Sequence, residues 1–191
     1  EELQAGYEAQ SPWWSNYTSE QVSGCFDHFW ESPTLQDNFA SAWVAMAEKV
    51  CGEDKVLGFD LMNEPYTGQD HMTASFDNEY LMGLYEMLME KIDTVCGDRL
   101  YFVEPSELAQ LGLADPMVFP TRFKDRMVYA GHFYPSYVHE SDGGGYDGDK
   151  DALRHIFMRH FEYYINENIP VWVGELGGYT SSANFDVYLQ D

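Results

Sequence analysis

Three glutamates stand where predicted strands run out: Glu64 after VLGFDLMN, Glu104 after LYFV and Glu175 inside VWVGEL. In parallel α/β folds the carboxyl ends of the strands converge on one mouth, where ligands bind and reactions occur. Two carboxylates at one mouth can act as a proton donor paired with a base or nucleophile, and glycoside hydrolysis is the best-known reaction built that way. Each glutamate taken singly could equally cap a helix or pair with a cation, and spacing does not separate Glu104 from the other two.

The elements that must position them follow from hydrophobic period. Leu35, Phe39, Ala42, Trp43, Met46 and Val50 form one stripe, which predicts an amphipathic helix over 35–50 with Gly52 as its stop. VLGFDLM (56–62) predicts a buried strand ending at Asn63. Leu81, Leu84, Tyr85, Leu88, Ile92 and Val95 repeat the helical pattern over 78–95, closed by Gly97. Further strands are predicted at 100–103, 127–134 and 171–176, with a helix over 151–165 before the last. Strands alternating with helices imply parallel βα units, in an open doubly wound sheet or a (β/α)8 barrel. A whole barrel needs about 250 residues, or about 200 at the least. With 191 residues and four visible strands, a smaller sheet or a piece of something larger is expected. No repeat or linker divides the chain, which reads as a single domain over 1–191; SDGGGYDG (141–148) is a Gly- and Asp-rich loop.

Composition removes several function classes. Thirty-three Asp and Glu against ten Lys and Arg give a net charge of −23, so no cationic groove for a phosphate backbone can be assembled and anionic membrane surfaces are disfavoured. The 45% hydrophobic and 16% aromatic content supplies a core, so this acidity does not signal disorder. No run of about 18 apolar residues predicts a membrane span.

Residues flanking the glutamates narrow the choice. Asn63-Glu64-Pro65 follows an apolar strand, His132-Phe133-Tyr134 ends the third strand, and Gly174-Glu175 ends the fourth. In these motifs and their order the chain resembles the glycoside hydrolase family 5 enzymes of the large retaining glycosidase clan. Residues 26–68, which include FDLMNEP, and the run LYFVEPSE are similar to the endoglycoceramidase-type subgroup. The resemblance implies part of a (β/α)8 TIM barrel, about strands 4 to 7 with helix 3 onward. Strands 1 to 3 and 8, which in the family carry an arginine, a histidine and an aromatic platform, then fall outside the chain.

It also implies a retaining β-glycosidase that hydrolyses O-glycosidic bonds of a glycan or glycolipid by double displacement. Glu64 would be the acid/base, protonated at working pH, and Glu175 the nucleophile. Asn63 would hydrogen-bond the sugar 2-hydroxyl, Tyr134 would orient Glu175, and His132 would help hold the mouth; for both rings ordinary core packing is the alternative. No cofactor or metal is required. The expected partners are a carbohydrate or glycolipid substrate and the remaining barrel strands, from the same or another chain. A β-glucanase-type activity on polysaccharide is the second reading. A third is a glycosidase-derived, non-catalytic structural or carbohydrate-binding component of a larger assembly. A flavodoxin-like module is disfavoured, because the first visible βα loop, NEPYTG, has no glycine-rich phosphate cradle.

Weaker signals remain. Asp147, Asp149 and Asp151 alternate like a calcium loop, but Ala152 and Met158 stand where the motif needs Gly and Glu. His155 and His160 are spaced wrongly for a helical zinc pair. Trp13, Trp14, Trp30 and Tyr66 are candidates to stack on sugar rings, with packing between helices the alternative for Trp30. Cys51 and Cys96 each precede a glycine at the ends of consecutive helices, which would lie side by side in a parallel barrel. A disulfide is expected if the protein is secreted, and buried thiols otherwise, with Cys25 left over. Asn16-Tyr17-Thr18 is a possible glycosylation sequon and leans toward the same secreted or extracellular, or lysosome-like, location.

Overall fold

The computed structural model describes residues 11, 13–135 and 145–191, apart from the side chains of Trp13 and Trp14. The first half of the 141–148 loop and any sugar stacking by those two tryptophans therefore lie outside the described residues. A 3-10 turn, Trp13–Thr18, leads into α1 (Glu20–Glu31) and α2 (Pro33–Val50). Both helices start on serine caps, Ser19 accepting from Val22 N–H and Ser32 from Leu35 N–H, and Pro33 fills the first turn of α2, where no N–H is needed. β1 (Gly58–Asp60) follows, then a π-helical turn, Asp77–Leu81, that runs into α3 (Met82–Asp93). β2 (Leu100–Val103), the short α4 (Glu107–Gln110), β3 (Met127–Tyr129), α5 (Lys150–Asn166) and α6 (Phe185–Tyr188) complete the order.

The three strands form one parallel sheet in the order β1-β2-β3, with Phe59 opposite Tyr101 and Phe102 opposite Val128. The strand expected at 171–176 is broken. It meets its neighbour as two isolated parallel bridges, Tyr129 with Val171 and Phe133 with Leu176. Backbone bonds from Trp172 N–H to Tyr129 O at 2.9 Å and from Phe133 N–H to Glu175 O at 2.8 Å keep it alongside. Between the two bridges Gly174 N–H still donates to Gly131 O at 3.2 Å, and the second bridge is offset by one extra residue relative to the first, which breaks the regular ladder.

Alternation along the strands sorts residues between the sheet faces. Phe59, Tyr101 and Val103 are buried, and they join Leu84, Tyr85, Leu88 and Ile92 of α3 in the core. Asp60 and Phe102 point to the opposite face, where the Phe102 ring meets Trp172 at 6.0 Å and Trp172 is 55% exposed. One side of the sheet is therefore packed and the other is open at Asp60, while Val128 of β3, opposite Phe102, is buried.

At the end of the sheet away from the glutamates, Arg126 grips Asp93 through two contacts of 2.9 and 2.5 Å, and Tyr101 donates its hydroxyl to the same carboxylate at 2.5 Å. Although partial burial opposes ionisation, these donors hold Asp93 below its ordinary pKa. Cys51 and Cys96 are joined in a disulfide, with Cα atoms 5.6 Å apart, which ties the end of α2 to the segment after α3. Cys25 is a free, exposed thiol on α1. Asp149, from the acidic loop considered for calcium, caps α5 by accepting from Ala152 N–H at 2.9 Å.

Candidate active site

The chain leaves β1 through Asn63-Glu64-Pro65, and Glu64 adopts φ 42°. A side-chain-bearing residue enters this left-handed region at a cost of about 1–3 kcal/mol and stays only where its surroundings hold it. The segment after β2 provides that hold. Glu64 N–H donates to Glu104 Oε2 at 2.7 Å, and Glu107 N–H donates to Pro65 O at 3.2 Å. The Thr67 hydroxyl donates to Glu107 Oε1 at 2.8 Å. From the other side, Trp30 Nε1 donates to Tyr66 O at 2.9 Å, and Asp70 N–H to Asp27 Oδ1 at 2.9 Å. Gly68, at φ 77°, passes α1 so closely that a Cβ there would fall 2.1 Å from Asp27 Oδ1.

His132, buried beyond the end of β3, joins the glutamates. Its Nδ1 lies 2.9 Å from Glu64 Oε1 and 3.6 Å from Glu175 Oε2, and its Nε2 lies 3.2 Å from Glu104 Oε2. The Tyr134 hydroxyl donates to Glu175 Oε2 at 2.8 Å. A Cβ at Gly174 would sit 3.1 Å from both the Ala130 carbonyl oxygen and His132 Cδ2, so the residue before Glu175 must stay small for this approach.

Charge is unevenly balanced here. Burial works against a charged His132, but hydrogen bonds to Glu104 and Glu64 and the nearby charge of Glu175 prevail, raising its pKa to about 10. Crowding, followed by the neighbouring Glu104 charge, raises Asp60 to about 7 although solvent still reaches it. Burial and then the bond to Glu175 push the Tyr134 phenol up to about 12.

Of the residues singled out from sequence, Glu64, His132, Tyr134 and Glu175 come together. Asn63 is exposed at the rim, outside this hydrogen-bonded set. Trp30 is 5% exposed, packed edge-on against Phe76, and so presents no ring to a sugar. Tyr66 is half-buried beside Tyr17 and Phe26. Glu107 and Asp60 belong to the site's support and were not among the sequence candidates; EPSE, with two carboxylates just past a strand, was the available signal for the former. Glu64, His132 and Glu175 offer ligand atoms within 4.8 Å of one another, close enough to surround a cation. Carboxylates gathered this closely are common without any ion.

The Glu64 and Glu175 oxygens therefore approach within 4.8 Å, whereas inverting glycosidases separate their carboxyl groups by about 6.5–9.5 Å. The family model for cellulase, glycosyl hydrolase family 5, matches residues 14–190. The chain belongs to this family. Family membership brings the (β/α)8 barrel, of which the three-stranded parallel sheet and its helices are a part. Endoglucanase B of Acetivibrio thermocellus is 26% identical over 204 aligned positions, covering 81% of this chain and 36% of that protein. Endo-glycoceramidase II from Rhodococcus sp., solved with a cellobiose-like imidazole, superposes with a TM-score of 0.81 at 25% identity, covering 98% of this chain and 45% of that one. A hyperthermophilic endo-β-1,4-glucanase shares the fold at a TM-score of 0.61 and 17% identity, covering 82% of this chain and 53% of that one. The chain thus spans less than half the length of the endoglucanase and endoglycoceramidase it matches.

Proposed function

We propose that this chain carries the two catalytic carboxylates of a retaining β-glycosidase. The observation that carries the reading is the approach of Glu64 and Glu175 to within 4.8 Å. Glu175, oriented by the Tyr134 hydroxyl, attacks the anomeric carbon and forms a glycosyl ester, while Glu64 delivers a proton to the departing oxygen. Glu64 then takes a proton from the water that cleaves the ester, which restores both groups. Asn63, next to Glu64 in the chain, hydrogen-bonds the sugar 2-hydroxyl as positive charge develops at the ring.

The substrate class follows from likeness. The match to endo-glycoceramidase II over 98% of the chain supports a bond between sugar and lipid, and the likeness to endoglucanase B supports a β-glucan as the second substrate class. The segment corresponds to barrel strands 4 to 7, and Asp60, Phe102 and Trp172 lie on the face that the remaining strands, from the same or another chain, would cover. These 191 residues acting alone are then expected to turn over no glycoside. The disulfide supports a secreted or extracellular location, where the Asn16-Tyr17-Thr18 sequon would meet the glycosylation machinery.

Incubating the native protein with 2-deoxy-2-fluoro glycosides, then measuring intact mass and mapping peptides, tests the reading. A covalent label on Glu175, in a species heavier than 22.0 kDa before labelling, is the expected result. No label with gluco, galacto and manno probes, at a native mass equal to this chain, would sink it in favour of a non-catalytic component.

A further inference from the structure

Glu104 sits at the centre of the site, yet neither carboxylate role above uses it. It ends β2 and is 2% exposed. One of its oxygens, Oε2, accepts from Glu64 N–H at 2.7 Å and meets His132 Nε2 at 3.2 Å. Its backbone carbonyl accepts the Tyr85 hydroxyl of α3 at 2.8 Å, and its carboxyl lies near enough to Asp60 of β1 to raise that group's pKa. A carboxylate buried this deeply is costly unless donors surround it. Two of its partners lead to the same residue. One is the backbone of Glu64, and the other is an imidazole whose second nitrogen lies 2.9 Å from Glu64 Oε1. Glu64 is thus gripped at both ends, directly at its N–H and through His132 at its carboxyl.

We propose that Glu104 is a positioning residue that fixes where Glu64 points, holding its N–H in the left-handed turn and orienting the imidazole that meets its carboxyl. This rests on the reading of Glu64 as the acid/base group. The charged and titratable groups facing the His132–Glu104 pair are Asp60 from β1, Glu64 from the turn after it, Tyr85 from α3, Tyr134, and Glu175, which Tyr134 holds. A neutral imidazole has one N–H and can donate to Glu64 or to Glu104 but not to both. While Glu64 is ionised the linkage therefore needs His132 charged, and the negative charge of Glu104 is one of the groups that keep it so; once Glu64 carries its proton, its own O–H can donate to Nδ1 instead.

Two substitutions in the intact native protein test the role, each read with a dinitrophenyl glycoside and with an alkyl glycoside of the same sugar. Dinitrophenolate leaves without a proton, so a misplaced acid is felt chiefly by the alkyl substrate. Glu104→Ala is expected to lower kcat/KM about 10²-fold for the alkyl glycoside, as for displacement of a catalytic group by about 1 Å, and far less for the dinitrophenyl one. Glu104→Gln keeps the shape and an acceptor oxygen but removes the charge. Removing that charge makes loss of a proton easier for both His132 and the acid Glu64, so the alkaline limb of kcat/KM, which reports the acid, moves to lower pH. Equal losses on both substrates, no loss at all, or an unmoved limb in Glu104→Gln would overturn the positioning role. If the alanine variant does not fold, the glutamine variant decides by the same two readouts. Wild-type protein that neither turns over nor labels would overturn the glycosidase reading and this role with it, whereas active wild type beside a leaving-group-independent loss overturns the role alone.

Discussion

A charged imidazole held by Glu64, Glu104 and Glu175 ties folding to pH. The pKa of His132 rises on folding from 6.5 to about 10, so its contribution is fully present below pH 6.5 and is lost as pH climbs toward 10. Asp60, raised from 3.8 to about 7, acts in the same sense over the lower window. Calorimetry should therefore show Tm falling from near-neutral pH toward pH 10, with His132→Asn flattening the decline above neutrality. Tyr134→Phe removes a donor to the Glu175 carboxylate and should slow fluorosugar labelling about tenfold or more, since such bonds are worth about 1.5–3 kcal/mol. Unchanged labelling would mean that Glu175 is held without the phenol. Glu64, His132, Tyr134 and Glu175 were legible in the sequence because each sits in a short motif at a strand end. The part played by Glu104 was not, because it depends on partners 40 and 28 positions away, and a strand-end carboxylate looks the same whichever donors it meets.

The elements are tied together at the end of the sheet opposite the site. Arg126→Ala breaks a two-point contact with Asp93 and leaves that partly buried carboxylate with Tyr101 as its remaining side-chain donor; a loss of about 2 kcal/mol in denaturant unfolding is expected. The disulfide spans 45 residues, and replacing both cysteines with alanine should cost about 2–5 kcal/mol, chiefly by freeing the unfolded chain. Apolar period placed the helix expected over 35–50 within two residues of its observed start at Pro33, which the Ser32 cap and the proline set. The helix expected over 78–95 also emerged, but its first turn is π-helical, with the buried Asp77 accepting from Ser106 N–H at 3.1 Å. A contact that distant leaves no trace in period. β2 covers the run expected over 100–103, whereas β1 and β3 are shorter than their apolar runs, because pairing requires a neighbour in register and apolarity reports only burial.

At the scale of the molecule, a net charge of −23 makes the folded chain repel itself, and raising ionic strength from about 0.01 M to 0.15 M should raise Tm as the screening length falls from about 30 Å to 8 Å. A flat salt response would show that ion pairing already balances the field. The same crowding of like charge is concentrated at the mouth, where Asp60, Glu64, Glu104 and Glu175 share one imidazole. Within that cluster Glu64 also bears the unfavourable φ of 42°. A glycine at this position would relax the backbone and remove one of the repelling carboxylates, leaving His132 with Glu104 and Glu175. Durability and chemistry therefore pull residue 64 in opposite directions: a library sorted only for survival of heat should discard the glutamate, and one sorted for turnover should keep it.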